Sequence, residues 1–185
     1  MKRQKEACVL ASGGVDSSAC IAYYLDLGYA VTPVFVDFGH PANPVEHQHV
    51  RQVASHYGLS PREIKLRGVE AHHMGEIRGR NAAFVAIALM AYPGLAGVLS
   101  LGIHAGSPYY DCTSRFRDHM SALVSEYTNG EVQFDAPFIN TEKPGIVEFG
   151  KAHDLPFGLT YSCETGATPP CGRCPSCKDR EALGI

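Results

Sequence analysis

The stretch Leu10-Ala11-Ser12-Gly13-Gly14-Val15-Asp16-Ser17-Ser18 concentrates groups that can hold a phosphate. Gly13 and Gly14 let the backbone approach a ligand and adopt φ > 0. Ser12, Ser17 and Ser18 add hydroxyl donors. An apolar run, Ala7 to Ala11, precedes the loop, and a predicted helix, Ser17 to Leu27, follows it. Strand, glycine-rich turn and helix start together offer an anion unpaired N–H groups and the positive end of a helix dipole. The expected ligand is phosphate or pyrophosphate. The loop lacks the lysine of GxxxxGK[ST]. It carries Asp16 instead, and an acid beside phosphate makes sense as a magnesium ligand. The reading without chemistry is a plain turn after a strand.

A second constellation lies near the other end of the chain. Cys163-x7-Cys171-x2-Cys174-x2-Cys177 places four thiols within 15 residues. Zinc favours tetrahedral sulfur, and four cysteines leave no position open for water, so the expected role is structural. Arg173, Lys178 and Arg180 can offset part of the negative charge of such a site. Pro170, Gly172 and Pro175 make the segment turn-like and too small for a core of its own, so a metal has to hold it. An iron–sulfur cluster also fits this spacing. Buried free thiols or two disulfides are the readings without a metal.

The elements that must position these groups follow from the apolar pattern. Residues 7–11, Ala30 to Asp37, Glu63 to Leu66, Gly97 to Gly102 and Val132 to Phe134 read as strands. Helices are expected over Ser17 to Leu27, Val45 to Tyr57, Asn81 to Tyr92, Cys112 to Tyr127 and Pro144 to Ala152. Asn81 and Thr141 are candidate N-caps. The Asn81 helix is alanine-rich and reads as buried. Arg67 to Gly79 reads as a polar loop over the sheet edge. The βαβαβ order predicts a doubly wound parallel α/β sheet with right-handed crossovers. Ligands of such sheets bind beyond the carboxyl ends of the strands. The Ser12 loop, the Asp37 loop and the His104–Asp111 loop should therefore converge on one crevice. The expected division is an α/β domain over 1–155 that carries the phosphate loop and a small four-cysteine zinc subdomain over 156–185 packed on it, and the resemblance described below makes the first an ATP-binding domain.

The bulk numbers narrow the class. The 185 residues fit one domain with a small appendage, and 45% hydrophobic content allows a sizeable core. A net charge of −3 gives no basic field for stable nucleic-acid binding. No apolar run reaches the ~18 residues of a membrane span. Met1 to Glu6 is charged and lacks the apolar core of a signal peptide. A cytoplasmic location is expected, where seven cysteines point to metal or redox chemistry before disulfides.

The Ser-Gly-Gly-x-Asp-Ser loop after an N-terminal strand resembles the PP-loop ATP pyrophosphatase superfamily, whose members adenylate a carboxylate or carbonyl oxygen. Further segments narrow the resemblance. Asp37-Phe38-Gly39-His40 with Glu46 looks like a "DYGQ…E" segment. Gly79-Arg80-Asn81-x2-Phe84 looks like "GRNxxF", and Tyr110-Asp111-Cys112 with Phe116 looks like "YPDCRxxF". Thr160-Tyr161-Ser162-Cys163 with Cys171-Gly172-Arg173-Cys174-Pro175-Ser176-Cys177 looks like a zinc signature. Together these resemble 7-cyano-7-deazaguanine synthases of the QueC type over nearly the whole chain. The chain departs from that pattern at His40, where Gln is usual, and at Tyr110 and Thr113, where Pro and Arg are usual. It is also shorter between Lys65 and Glu76.

The resemblance implies ATP with magnesium as cofactors beside structural zinc. It implies ATP and a deazapurine carboxylate as small-molecule partners, and a homodimer. Ala11, Ser12, Gly13, Gly14, Val15, Asp16, Ser17, Ser18 and Asp37 would bind ATP. Ser12, Asp16, Ser17, Arg80 and Lys143 would carry catalysis, the two cations meeting charge at the α-phosphate. Phe38, His40, Arg80, Asn81, Tyr110 and Asp111 would face the substrate. Asp111 would accept from a guanine-like N–H/NH₂ edge, and Phe38, Tyr109 or Tyr110 would stack on the base. Plain readings stand beside these: a surface ion pair for Arg80, an N-cap for Asp111, solvated surface for Lys143. His47, His49, His72 and His73 read as surface histidines, Cys112 as a small buried residue, and Cys8 and Cys20 as core. Rival functions are a QueC-like defence-system enzyme that joins a deazaguanine acid to a protein amine, a PP-loop tRNA-modifying enzyme, and a nucleotide-binding protein without turnover.

Overall fold

The computed structural model describes residues 4–69 and 76–185. His72 and His73 lie outside the described residues. The chain alternates β1 (Glu6–Leu10), α1 (Val15–Asp26), β2 (Ala30–Asp37), α2 (Asn43–His56), β3 (Arg62–Lys65), α3 (Arg80–Ala91), β4 (Gly97–Leu101), α4 (Ser114–Thr128), β5 (Val132–Asp135), α5 (Lys143–Ala152) and α6 (Pro175–Leu183). The strands form one parallel sheet in the order β3-β2-β1-β4-β5. The expected doubly wound α/β fold is present.

Alternate side chains on each strand feed two cores. On one face Ala7, Val9, Val31 and Phe35 pack with Tyr24 of α1, Val50 and Val53 of α2 and Ile146 of α5. On the other face Leu10, Val34, Val36 and Leu99 pack with Val85 of α3 and Phe116 and Val124 of α4. Each fully buried Val, Leu or Phe contributes about 1.5–3 kcal/mol. A third, small cluster holds Tyr161, Cys163, Cys174 and Cys177. Among the described residues no helix is long and apolar enough to cross a membrane.

Several boundaries differ from expectation for local reasons. α1 and α2 each begin two residues earlier, at Val15 and Asn43. Pro44 sits in the first turn of α2, where its missing N–H costs nothing. α3 starts at Arg80 behind Gly79, whose φ of 76° is left-handed. Asn81 is therefore inside the helix and is not its cap. α3 is not a buried helix: it buries Asn81, Val85 and Ala88, while Met90 is 81% exposed. A 3₁₀ turn, Tyr110–Cys112, precedes α4, and the Thr113 side chain, not Asp111, caps that helix by accepting from Phe116 N at 3.2 Å. Glu142, not Thr141, occupies the N-cap position of α5. Helix α6, in the cysteine segment, was not expected at all.

The sheet's order reverses at β1, and there the end of β4 presses on the first turn of α1. A Cβ built on Gly102 would stand 2.7 Å from Ser17 N and 2.9 Å from the Asp16 carbonyl carbon. Both are backbone atoms that cannot swing aside. Gly102→Ala is therefore expected to cost about 1–3 kcal/mol of stability by overpacking. Urea denaturation checks this, and an unchanged unfolding free energy would contradict the close approach.

Candidate active site and metal centre

The loop after β1 turns through Gly13 at φ 75°. A Cβ there would meet Glu46 O at 2.9 Å and Val50 N at 3.0 Å, so only glycine lets the loop lie against α2. The hydroxyls organise the turn. Ser17 Oγ accepts from Ser12 N at 3.2 Å and lies 3.3 Å from Ser12 Oγ. Ser12 Oγ accepts from Gly14 N at 3.4 Å. Ser18 Oγ donates to Gly14 O at 2.8 Å, and Ser18 is buried. Ser18 thus shapes the loop from behind.

A cavity of about 540 Å³ opens beyond the strand ends. Ala11, Ser12, Gly14, Asp16 and Ser17 border it, whereas Gly13, Val15 and Ser18 do not. Lys143, at the first position of α5, reaches into it. Its Nζ donates to both carboxylate oxygens of Asp16, at 2.6 and 2.5 Å. His104 Nε2 stands 4.0 Å from Asp16 Oδ2. Residues far apart in the sequence thus meet at the start of α1.

Of the residues expected to face a substrate, Phe38, His40, Arg80 and Asn81 border the cavity. Arg80 Nε donates to Asn81 Oδ1 at 3.3 Å, and Asn81 Nδ2 lies 3.5 Å from the Asp111 carbonyl it donates to. Buried Asn81 ties Arg80 to the turn before α4. Tyr110 and Asp111 do not border the cavity; Tyr109 and Cys112 do. Tyr110 is half exposed, and its hydroxyl bonds His119 Nδ1 at 2.7 Å. Asp37 also stays outside the cavity wall, accepting from Gly39 N at 3.1 Å and pairing with Arg67 at 3.5 Å. Burial pushes the Cys112 thiol up, as suits a packing residue rather than a thiolate.

Glu46 borders the cavity although sequence reasoning gave it no role. Burial raises its carboxyl above the ordinary glutamate range, against the opposing effects of Asn43 and Arg80. His104 was missed as well. Its signal was position: it is the third residue after β4, in a loop already expected to face the crevice. His47 and His49 are not simple surface histidines. His47 stacks on Phe35 with centroids 4.8 Å apart. His49 stacks on Tyr161 at 5.0 Å, and its Nδ1 must donate to Leu159 O at 2.8 Å because a carbonyl only accepts.

The four cysteines of the C-terminal segment converge, with all Sγ atoms within 4.8 Å of one another. Sulfurs about 2.3 Å from one tetrahedral ion lie about 3.8 Å apart, and Cys171 Sγ and Cys177 Sγ are 3.9 Å apart. All seven cysteines are free, so the disulfide reading falls. Cys171 N donates to Cys163 Sγ at 3.3 Å and Cys174 N to Cys171 Sγ at 3.4 Å. Burial alone would raise Cys163, but N–H donation from Cys171 and bonds from Thr165 bring it down to about 5. Burial and the neighbouring Cys174 thiol push Cys177 up to about 12. The set fits a metal centre.

This segment is also a wall of the cavity, through Ser162, Glu164, Asp179 and Arg180. Tyr161 N donates to Gly13 O at 2.8 Å and Tyr161 OH to Ala167 O at 2.8 Å. Arg180 donates to Thr160 Oγ1 at 2.7 Å and Phe157 O at 3.2 Å, tying α6 to the chain that enters the cluster.

The family model described as queuosine biosynthesis protein QueC matches residues 6–76 and 69–183. The chain belongs to the QueC family. The 7-cyano-7-deazaguanine synthase of Oceanobacillus iheyensis is 28% identical over 204 residues, covering 95% of this chain and 91% of that protein. The synthase of Alcanivorax borkumensis is 30% identical over 210 residues, covering 95% and 92%. Among solved structures, NMN synthetase from Francisella tularensis aligns with TM-score 0.59 at 13% identity, over 98% of this chain and 73% of that one. The U34-tRNA thiolase NcsA from Methanococcus maripaludis aligns with TM-score 0.56 at 12% identity, over 98% and 65%. Those two likenesses concern the fold.

In this QueC-family chain the metal centre has a direct test. Cys174→Ser removes one of four sulfurs, and is expected to lower bound metal from about one to well under one per chain. Elemental analysis of the purified protein measures it, and full metal occupancy in the variant would contradict the four-sulfur site.

Proposed function

We propose that the chain is an ATP-dependent enzyme of the 7-cyano-7-deazaguanine synthase type. It activates the carboxylate of 7-carboxy-7-deazaguanine and converts it with ammonia into the nitrile. One observation carries the reading: Asp16 and Lys143 meet at the start of α1, beside the Ser12 and Ser17 hydroxyls, inside one cavity.

A carboxylate is a poor electrophile, and adenylation gives it AMP as leaving group. N–H groups at the start of α1 and the Ser12 and Ser17 hydroxyls hold the phosphates. Asp16 would hold a magnesium ion, which would offset phosphate charge. In the ligand-free chain Lys143 balances that carboxylate. With ATP present, Lys143 and Arg80 meet the charge that develops at the α-phosphate. The substrate carboxylate attacks that phosphorus and pyrophosphate leaves. Ammonia then displaces AMP to give the amide. The amide oxygen takes a second adenylyl group, and loss of AMP with two protons leaves the nitrile. Catalysis by this chain is positioning and charge stabilisation.

Zinc is the metal this reading assigns to the four cysteines. Their sulfurs lie within 4.8 Å of one another, a spacing that suits one ion, whereas a four-iron cluster holds its thiolates further apart. The ion is structural, since no ligand position stays open. Bound there, it would anchor the segment whose Tyr161 N–H bonds Gly13 O in the loop.

Asp16→Ala and Ser12→Ala are each expected to abolish substrate-dependent pyrophosphate release. Lys143→Ala is expected to lower kcat by about 10²–10³ at unchanged metal content. Release retained by Asp16→Ala would remove this assignment of the loop. Mass spectrometry after incubation with ATP, 7-carboxy-7-deazaguanine and ammonia reads the product. A nitrile supports the synthase reading, and a mass shift on a protein amine would replace it with conjugation. ATP bound without any product would leave only a nucleotide-binding protein.

A further inference from the structure

The cavity has a second end, walled by the start of α2 and by α3. Phe38 and Phe84 meet there edge to face, with centroids 5.2 Å apart, and His40 stacks beside Phe38 at 5.7 Å. Glu46 borders the same cavity from α2, and Asn43 holds it. Asn43 Oδ1 accepts from Phe38 N at 3.1 Å and from His40 N at 3.0 Å. Those two bonds settle which end of the amide is oxygen. Its Nδ2 must therefore point the other way, and it donates to Glu46 Oε2 at 3.0 Å. Asn43 is itself buried. The carboxylate is fixed by a side chain that is fixed in turn.

Glu46 Oε1 has no hydrogen-bond partner among the described residues. The carboxylate is part-exposed in the cavity wall, held on one oxygen by Asn43, so its other oxygen stands open to a donor that enters the cavity. A ligand that offers two adjacent donors matches it, since each carboxylate oxygen accepts more than one bond. A ring N–H beside an exocyclic amine, as on a guanine-type base, is such a pair. Adenine presents a bare ring nitrogen beside its amine, so the same carboxylate opposes it.

We propose that Glu46 is the base-reading residue of this site, its carboxylate accepting from the ring N–H and exocyclic amine of a guanine-type base that lies against Phe38 and Phe84. The proposal rests on the deazaguanine reading above and deepens it. It moves to Glu46 the role that the resemblance gave to Asp111, which does not border the cavity. Glu46 sets which base is held, and the Ser12 loop with Lys143 acts on that base's carboxylate.

Titration calorimetry without ATP tests it, using 7-carboxy-7-deazaguanine and the analogue that lacks the 2-amino group. The unaltered chain is expected to bind the amino-bearing acid at least about tenfold more tightly. Glu46→Gln should reduce that preference to within about twofold, because its amide turns a donor toward the base's donors. Asp111→Asn should keep the preference. Should the glutamine variant not fold, Glu46→Asp, which withdraws the charge by one methylene, should show the same loss. Equal binding of both acids by the unaltered chain, binding of neither, or an intact preference in the Glu46 variants overturns the proposal. An intact preference in the unaltered chain that Glu46→Gln removes, with no pyrophosphate released by the unaltered chain from ATP, upholds the base site and overturns the adenylation reading instead.

Discussion

The contact between the end of β4 and the first turn of α1 governs the geometry of this molecule. At Gly102 the two backbones lie closer than any side chain permits. Because β1 has β2 on one side and β4 on the other, this is where the sheet's winding reverses. Pressing α1 onto β4 there aims its N-terminus into the gap between the two strand ends. Asp16 then faces Lys143 and His104, and the Ser12 and Ser17 hydroxyls share one edge. The cavity is a consequence of that packing.

The other side of the loop leans on the end of the chain. Gly13 lies against α2, and its carbonyl accepts from Tyr161. Tyr161 stacks on His49 of α2 and sits in the cluster of the four cysteines. The four-cysteine segment is therefore joined to the Ser12 loop through Tyr161. The same segment also walls the cavity through Ser162, Glu164 and Arg180.

Local pattern made much of this legible. β2 matches its expected span, because a β-branched run between turn residues has few alternatives. The loop, the four cysteines and the parallel order were readable because glycine, thiol spacing and strand–helix alternation are written in contiguous residues. What pattern left dark depends on contacts between distant segments. Asp111 and Glu46 are both acids near recognisable motifs, and only the folded chain puts one in the cavity wall and the other outside it. His104 and the wall formed by Ser162, Glu164 and Asp179 are likewise products of packing. α3 misled because an alanine-rich apolar stretch reads as buried, whereas one of its faces is open to solvent. The cap of α4 fell to Thr113, since the turn at Tyr110–Cys112 moved the helix start past Asp111.

The pairing of Asp16 with Lys143 spans 127 residues of chain, and the Tyr161–Gly13 bond spans more. On a ribosome the loop emerges first and these partners emerge late. A nascent chain shorter than Tyr161 has α1 and its serines but lacks both the lysine's charge and the strut behind Gly13 for most of its growth. Such a chain has the serine-glycine turn without the groups that pack against it. The order of synthesis thus leaves the cavity unwalled until the sheet and the cysteine segment have closed around it.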